Sequence, residues 1–174
     1  FRLGIGGAQD ILGVTPDLAA FSKAMGNGLP IGAYVGKDNI MDPKTLSFVS
    51  HGTFNANPVC TAAALATITE LENDKNYSKL YKVSGDLMNG MRDAISSNGL
   101  DAIIQGPGPG FSILFTDLEK ITEYNQVRGI QMHPHIKRSV VFFTEMIKRG
   151  IFIAPYEGIR IYLSMSHNED DVTK

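Results

Sequence analysis

The stretch at residues 17–36, DLAAFSKAMGNGLPIGAYVG, decides the reading of this chain. Pro16 and Asp17 punctuate its start. Leu18, Ala19, Ala20 and Phe21 form an apolar run too short for a helix, which fits the end of a buried strand. Lys23 stands where that run stops. Gly26, Asn27, Gly28 and Pro30 are a cluster of turn formers, and residues 31–35 resume as an apolar strand. A lysine at the rim of a buried sheet, beside a loop that admits close approach, suits a nucleophilic amine. An apolar wall disfavours the ammonium form and frees the lone pair. A solvated lysine at a strand end is the commoner occurrence, and the residues alone leave both readings open.

Outward from this stretch, composition bounds the answer. The 174 residues suffice for one ordinary domain with a core, and 43% hydrophobic and 20% charged residues are usual for a globular protein. The net charge of -2, without a basic block, argues against a nucleic-acid partner. No apolar run reaches the ~18 residues that a membrane helix needs. Cys60 is the only cysteine, so no internal disulfide forms, and a reducing, cytoplasmic setting is expected.

Along the chain, residues 1–13 read as glycine-rich loop with a helical turn at 9–12, and residues 37–41 as a short helix. Residues 48–54 are apolar and β-rich. Residues 59–71 are a strong, alanine-rich helix with Asn57 as N-cap and Pro58 at its first position. Residues 77–97 are an amphipathic helix in which Leu80, Val83, Leu87, Met91 and Ile95 recur every three or four residues. Beyond a boundary near Asn73 come short strands at 101–105, 111–115, 151–154 and 159–163 and a helix at 136–149, a small α+β domain. Residues 106–110, GPGPG, are a turn between two strands, because no helix follows and proline removes donors. Residues 117–135 read as polar and irregular. His133 and His135 lack a third ligand, so no metal is assigned. His51 and His167 take structural roles, and Cys60 is a core residue. Asn168 and the acidic residues after it begin a helix.

The run TPDLAAFSKAMGNGLPIGAYVG resembles the lysine segment of the class III aminotransferases, pyridoxal-phosphate enzymes of fold type I. Gly6-Gly7-Ala8-Gln9 resembles a GGAQ-like stretch of their glutamate-1-semialdehyde aminomutase branch. The resemblance implies an α/β chain. Residues 1–73 would be the C-terminal part of the fold type I large domain, and residues 74–174 a small α+β C-terminal domain cut before its last helix. It implies pyridoxal 5'-phosphate as cofactor and Lys23 as its Schiff-base lysine. Gly52, Thr53, Asn57 and Pro58 match the family's Gly-Thr-x-x-x-Asn-Pro motif. By that match Gly52 and Thr53 are cofactor-binding, with Thr53 reaching the phosphate of the neighbouring subunit in a homodimer.

Arg160 aligns with the arginine that grips the substrate α-carboxylate in the aminotransferases. The aminomutase branch has a glutamate close by instead, and a small gap puts Glu157 there. The expected reaction is amino transfer from a small amino donor to a keto or aldehyde acceptor, with an intramolecular amine shift as alternative. A non-catalytic homologue or dimerisation module is a weaker alternative that Lys23 argues against. Family members are longer, so the chain is expected to be an internal or C-terminal piece. The aspartate that faces the pyridine nitrogen, the stacking residue and other phosphate donors are expected before Phe1, and the piece alone is expected to be incomplete as an enzyme.

Overall fold

A computed structural model of the chain describes residues 1–42, 52–132, 136–153 and 159–173. They form two compact units, Phe1–Tyr77 and Ser78–Lys174.

The first unit contains α1 (Ala8–Leu12), β1 (Leu18–Phe21), a 3-10 turn (Lys23–Gly26), β2 (Ala33–Gly36), α2 (Asp38–Met41) and α3 (Pro58–Leu71). β1 and β2 pair antiparallel, with Leu18 opposite Gly36 and Phe21 opposite Ala33, so the lysine stretch is the loop of a hairpin. α3 starts as its sequence dictates. Asn57 Oδ1 accepts from the N–H groups of Val59 and Cys60, and Pro58, which has no N–H to leave unpaired, takes the first position. The expectation of a buried strand at 18–21 is not met. Leu18 is 55% and Tyr34 51% exposed, because among the described residues each strand has one neighbour and no layer closes over both faces. Of residues 48–54, only 52–54 are described, and they lie in a turn rather than a strand.

α4 (Asp74–Ser97) runs from the first unit into the second, where β3 (Ile103–Gln105), β4 (Gly110–Leu114), α5 (Tyr124–Met132), α6 (Ile136–Lys148), β5 (Ile159–Tyr162) and α7 (Glu169–Val172) follow. The strands form an antiparallel sheet in the order β3-β4-β5. Phe111 and Ile113 of β4 share one face of the sheet with Ile161 of β5, which stands opposite Phe111. Leu80 and Val83 of α4, Phe111, Ile113, Leu163 and Ile153 are buried and make this unit's core. Phe115 meets the Phe142 ring edge-on at 6.0 Å. Val83 is 2% exposed, whereas Leu87, Met91 and Ile95 are half-buried, and Met88 enters the core in their place. Ser84 is also fully buried, with its hydroxyl donating to the Tyr81 carbonyl.

Residues 106–110 form the turn between β3 and β4, as read from the sequence. Gly108 has φ +85°, and a Cβ there would stand 2.5 Å from the Tyr81 ring. The helix over 124–132 corrects the expectation of irregular chain. Gln126 Oε1 accepts from the N–H groups of Thr122 and Glu123, which anchors the helix start through a side chain that is not an ordinary N-cap type. Residues 151–153 are not in a strand, although Ile153 is buried; burial explains the apolar run without a ladder. Ala154, His51, His133 and His135 lie outside the described residues. α7 opens with a capping box: Asn168 accepts from the Asp170 N–H while Asp171 accepts from that of Asn168. Lys82 of α4 pairs with Asp86 and with Glu169 of α7.

Two expectations follow. Gly108→Ala introduces both a Cβ against Tyr81 and a left-handed alanine, and should lower stability by about 1–3 kcal/mol in urea unfolding. Glu145 is held at about 2, below its ordinary 4.5, by hydrogen bonds from Lys148 and then Arg149. Its pKa is depressed in the folded state, so its contribution is whole above pH 4.5 and is lost as pH falls towards about 2. The pair is exposed, so the effect is small. Glu145→Gln should flatten the stability profile in that window alone, as read by denaturant midpoints.

Candidate active site

Lys23 sits in the β1–β2 loop with φ +57°, in the left-handed region that lysine rarely adopts. Several contacts hold the loop around it. Ser22 Oγ donates to the Ile31 carbonyl at 2.8 Å, across the neck of the loop. The N–H groups of Asn27 and Leu29 donate to the carbonyls of Ala24 and Gly26. Asn27 and Gly28 also have positive φ, where an asparagine and a glycine cost least. Met25 and Gly26 are buried, and a Cβ on Gly26 would stand 2.6 Å from Ile31 Cγ2, so only glycine lets the two segments close. At the other end of the hairpin, Lys37 Nζ pairs with Asp17 at 2.6 Å, and this bond holds the Asp17 carboxyl below its ordinary range. The Lys37 N–H also donates to the Asp17 carbonyl.

The resulting cleft has a volume of about 410 Å³ and is lined by Arg2, Ser22, Lys23, Asn27, Gly28 and Pro30, among others. Lys23 is exposed, and its Nζ has no hydrogen bond or ion pair among the described residues. The expected apolar wall beside it is therefore not supplied by these residues: the strands that would form it are themselves half-open to solvent. Gly6-Gly7-Ala8-Gln9 lies close by. Gly7 has φ +78°, and a Cβ on it would stand 3.1 Å from the Phe21 ring at the end of β1.

Gly52 and Thr53 begin the turn that leads into α3, which packs against the Lys23–Gly26 turn. Thr53 is exposed, and neither its hydroxyl nor its N–H has a partner among the described residues. Ala56 in this turn has φ +53°. Lys23, Gly52 and Thr53 thus share the first unit. Arg160 belongs to the second, on β5 directly opposite Ser112 of β4. It is exposed, and its guanidinium has no partner among the described residues. By strand alternation Arg160, Ser112 and Tyr162 share the sheet face opposite the one carrying Phe111 and Ile161. Glu157 lies outside the described residues. Among the described residues no three His, Cys, Asp or Glu side chains gather as a metal site, and no helix is long and apolar enough to cross a membrane. Cys60 is half-buried on α3, and His167 Nδ1 lies 3.0 Å from the Ser164 N–H, closing a turn. Ser22 is the site residue that the sequence reading passed over; a small hydroxyl residue immediately before the lysine was the available signal.

The first unit thus brings together a hairpin loop that carries Lys23 over a cleft and a turn at Thr53 that leads into the helix packed on that loop. The model of the class III aminotransferases matches residues 2–156. The chain belongs to that family. It is 36% identical over 179 residues to the glutamate-1-semialdehyde 2,1-aminomutase of Clostridium kluyveri, covering 100% of this chain and 41% of that one. The aminomutase of Clostridium botulinum strain Alaska E43 is 34% identical, with 100% and 40% covered. The solved structure of an omega-transaminase from Sphaerobacter thermophilus superposes with a TM-score of 0.81 at 28% identity, covering 99% of this chain and 39% of that one. The chain thus spans about 40% of the length of the curated relatives it matches.

The Asn57 cap fixes where the Thr53 turn ends and α3 begins. Asn57→Ala should cost about 1 kcal/mol of stability. Amide exchange should speed up first at Val59 and Cys60, the two N–H groups it satisfies.

Proposed function

We propose that the protein carrying this chain is a pyridoxal-phosphate enzyme that moves amino groups, with Lys23 as the cofactor's covalent anchor. The observation that carries this is the Lys23 amine, unpartnered among the described residues and held in a left-handed backbone conformation over the cleft lined by Ser22, Asn27 and Gly28. Strained backbone that the surroundings over-determine is where function concentrates. The residues present fit the group: a primary amine answers an aldehyde, and the hydroxyl and N–H of Thr53, unpartnered among the described residues, answer a phosphate. Bound pyridoxal phosphate supplies an aldehyde that condenses with amines and a ring that draws electrons from the carbon bearing the amine.

Lys23 Nζ would be the amine that holds the group, and would take and return the proton at the substrate carbon bearing the amine, as general base and acid. Gly52 lets the backbone of its turn come close, and Thr53 donates to the phosphate, in our reading that of a second copy's cofactor in a homodimer. Arg160 receives the substrate carboxylate on its planar fork, which no described carboxylate occupies. In this reading the Phe1–Tyr77 unit is part of the cofactor-binding domain and the Ser78–Lys174 unit is the small domain. An Arg160 guanidinium without a partner among the described residues favours intermolecular transfer between an amino donor and a keto or aldehyde acceptor. The second reading, an intramolecular amine shift, is supported by the curated relatives, both named glutamate-1-semialdehyde 2,1-aminomutase; there Glu157 replaces Arg160 as the residue of interest.

The test is a half-reaction. The protein is loaded with pyridoxal phosphate and given candidate amino donors without an acceptor. Stoichiometric release of a keto product is expected, and Lys23→Ala should abolish it. Arg160→Lys should raise KM for carboxylated donors by about tenfold, since a point charge loses the bidentate pair. An isomerised amine with no keto product would replace transfer by the intramolecular reaction. Turnover undiminished in Lys23→Ala would overturn the proposal.

A further inference from the structure

We propose that Ser22 is a positioning residue for Lys23: its hydroxyl closes the loop that keeps the lysine in its left-handed conformation. The inference rests on the reading of Lys23 as the covalent anchor. A non-glycine residue at φ +57° stays there only if the chain on both sides is fixed. On the C-terminal side the fixing is visible in the buried Met25 and Gly26 and in the loop's own hydrogen bonds. On the N-terminal side, β1 ends at Phe21, so its ladder with β2 stops one residue before Ser22. Ser22 itself is extended, with φ -164°. The tie between this residue and the far side of the loop is the bond from Ser22 Oγ to the Ile31 carbonyl.

That bond has a directional consequence. Ser22 and Lys23 share a peptide, so holding Ser22 on one side while Met25 and Gly26 are held on the other limits rotation about the Lys23 N–Cα bond. Without the hydroxyl, the Ile31 carbonyl loses its partner and the loop can widen at its neck. Lys23 can then relax to negative φ, which turns its Cα–Cβ bond and swings Nζ away from its position over the cleft. Gly26 packed against Ile31 Cγ2 would still hold the middle of the loop, so the loss is one of aim rather than of fold. Ser22 and Lys23 both line the cleft, so the change happens at its wall.

The experiment compares the wild-type protein with Ser22→Ala and Ser22→Thr, each equilibrated with limiting pyridoxal phosphate. Borohydride reduction and peptide mass spectrometry give the fraction of Lys23 labelled. Visible circular dichroism of the loaded protein gives the orientation of the bound group, which a loss of stability alone does not change. Ser22→Ala should retain the cofactor about fivefold less tightly, one net hydrogen bond's worth, with an altered visible dichroism. Ser22→Thr keeps the hydroxyl and should restore both. Wild-type labelling and dichroism in Ser22→Ala would overturn the proposal. Absence of label on Lys23 in the wild-type protein would instead overturn the anchor reading beneath it. Should Ser22→Ala not fold, Ser22→Cys decides on the same two readouts, because it keeps the size and weakens the donor: reduced values support the proposal and wild-type values overturn it.

Discussion

The first unit depends on one constraint, a two-stranded hairpin that must hold its loop open-faced and rigid at once. Two strands of four residues are marginal as a sheet. The hairpin is therefore fastened beyond its ladder, by Asp17 and Lys37 at one end and by Ser22 and Ile31 at the other. Between these fasteners the register cannot slip by a residue, which would turn every side chain of β1 to the opposite face. α3 then packs on the loop rather than on the strands, and its capped start places the Thr53 turn. The glycines take different parts in this. Gly26 is required by contact with Ile31 and Gly28 by its positive φ, so neither tolerates a side chain, for unlike reasons.

Much of this could be read from the residues. Asn57 and Pro58 announced a helix start, and GPGPG announced a turn, because cap and turn chemistry is local. The long amphipathic helix was legible from its spacing, although Met88 is buried where Leu87 was expected to be. Burial at that point is set by what faces the helix, which the sequence does not carry. The helix at 124–132 escaped notice because its start is anchored by Gln126, a residue outside the usual N-cap set. Residues 151–153 misled in the opposite way: an apolar run can be buried without a partner strand, and Ile153 is. At the site, residue type revealed Lys23, but its left-handed φ and the Ser22 bond are properties of the closed loop and exist only once it closes.

The contrast between Lys23 and Arg160 shows two ways a chain can offer an unpaired cation. The described ion pairs hold five cations: Lys37 with Asp17, Lys82 with Asp86 and Glu169, Arg138 with Asp101, and Lys148 and Arg149 sharing Glu145. Those pairs are exposed and individually weak, so they do little for stability. Their effect is to neutralise charge locally. Lys23 and Arg160, like Lys75, Lys120, Arg128 and Lys137, have no such partner among the described residues; what marks the two is the backbone that carries them, a strained loop for Lys23 and a place in the β4–β5 ladder opposite Ser112 for Arg160. A held backbone sets where each side chain leaves the chain, and no carboxylate among the described residues stands in the way of an incoming anion. That is the condition for receiving one from a substrate or cofactor without first breaking an internal pair.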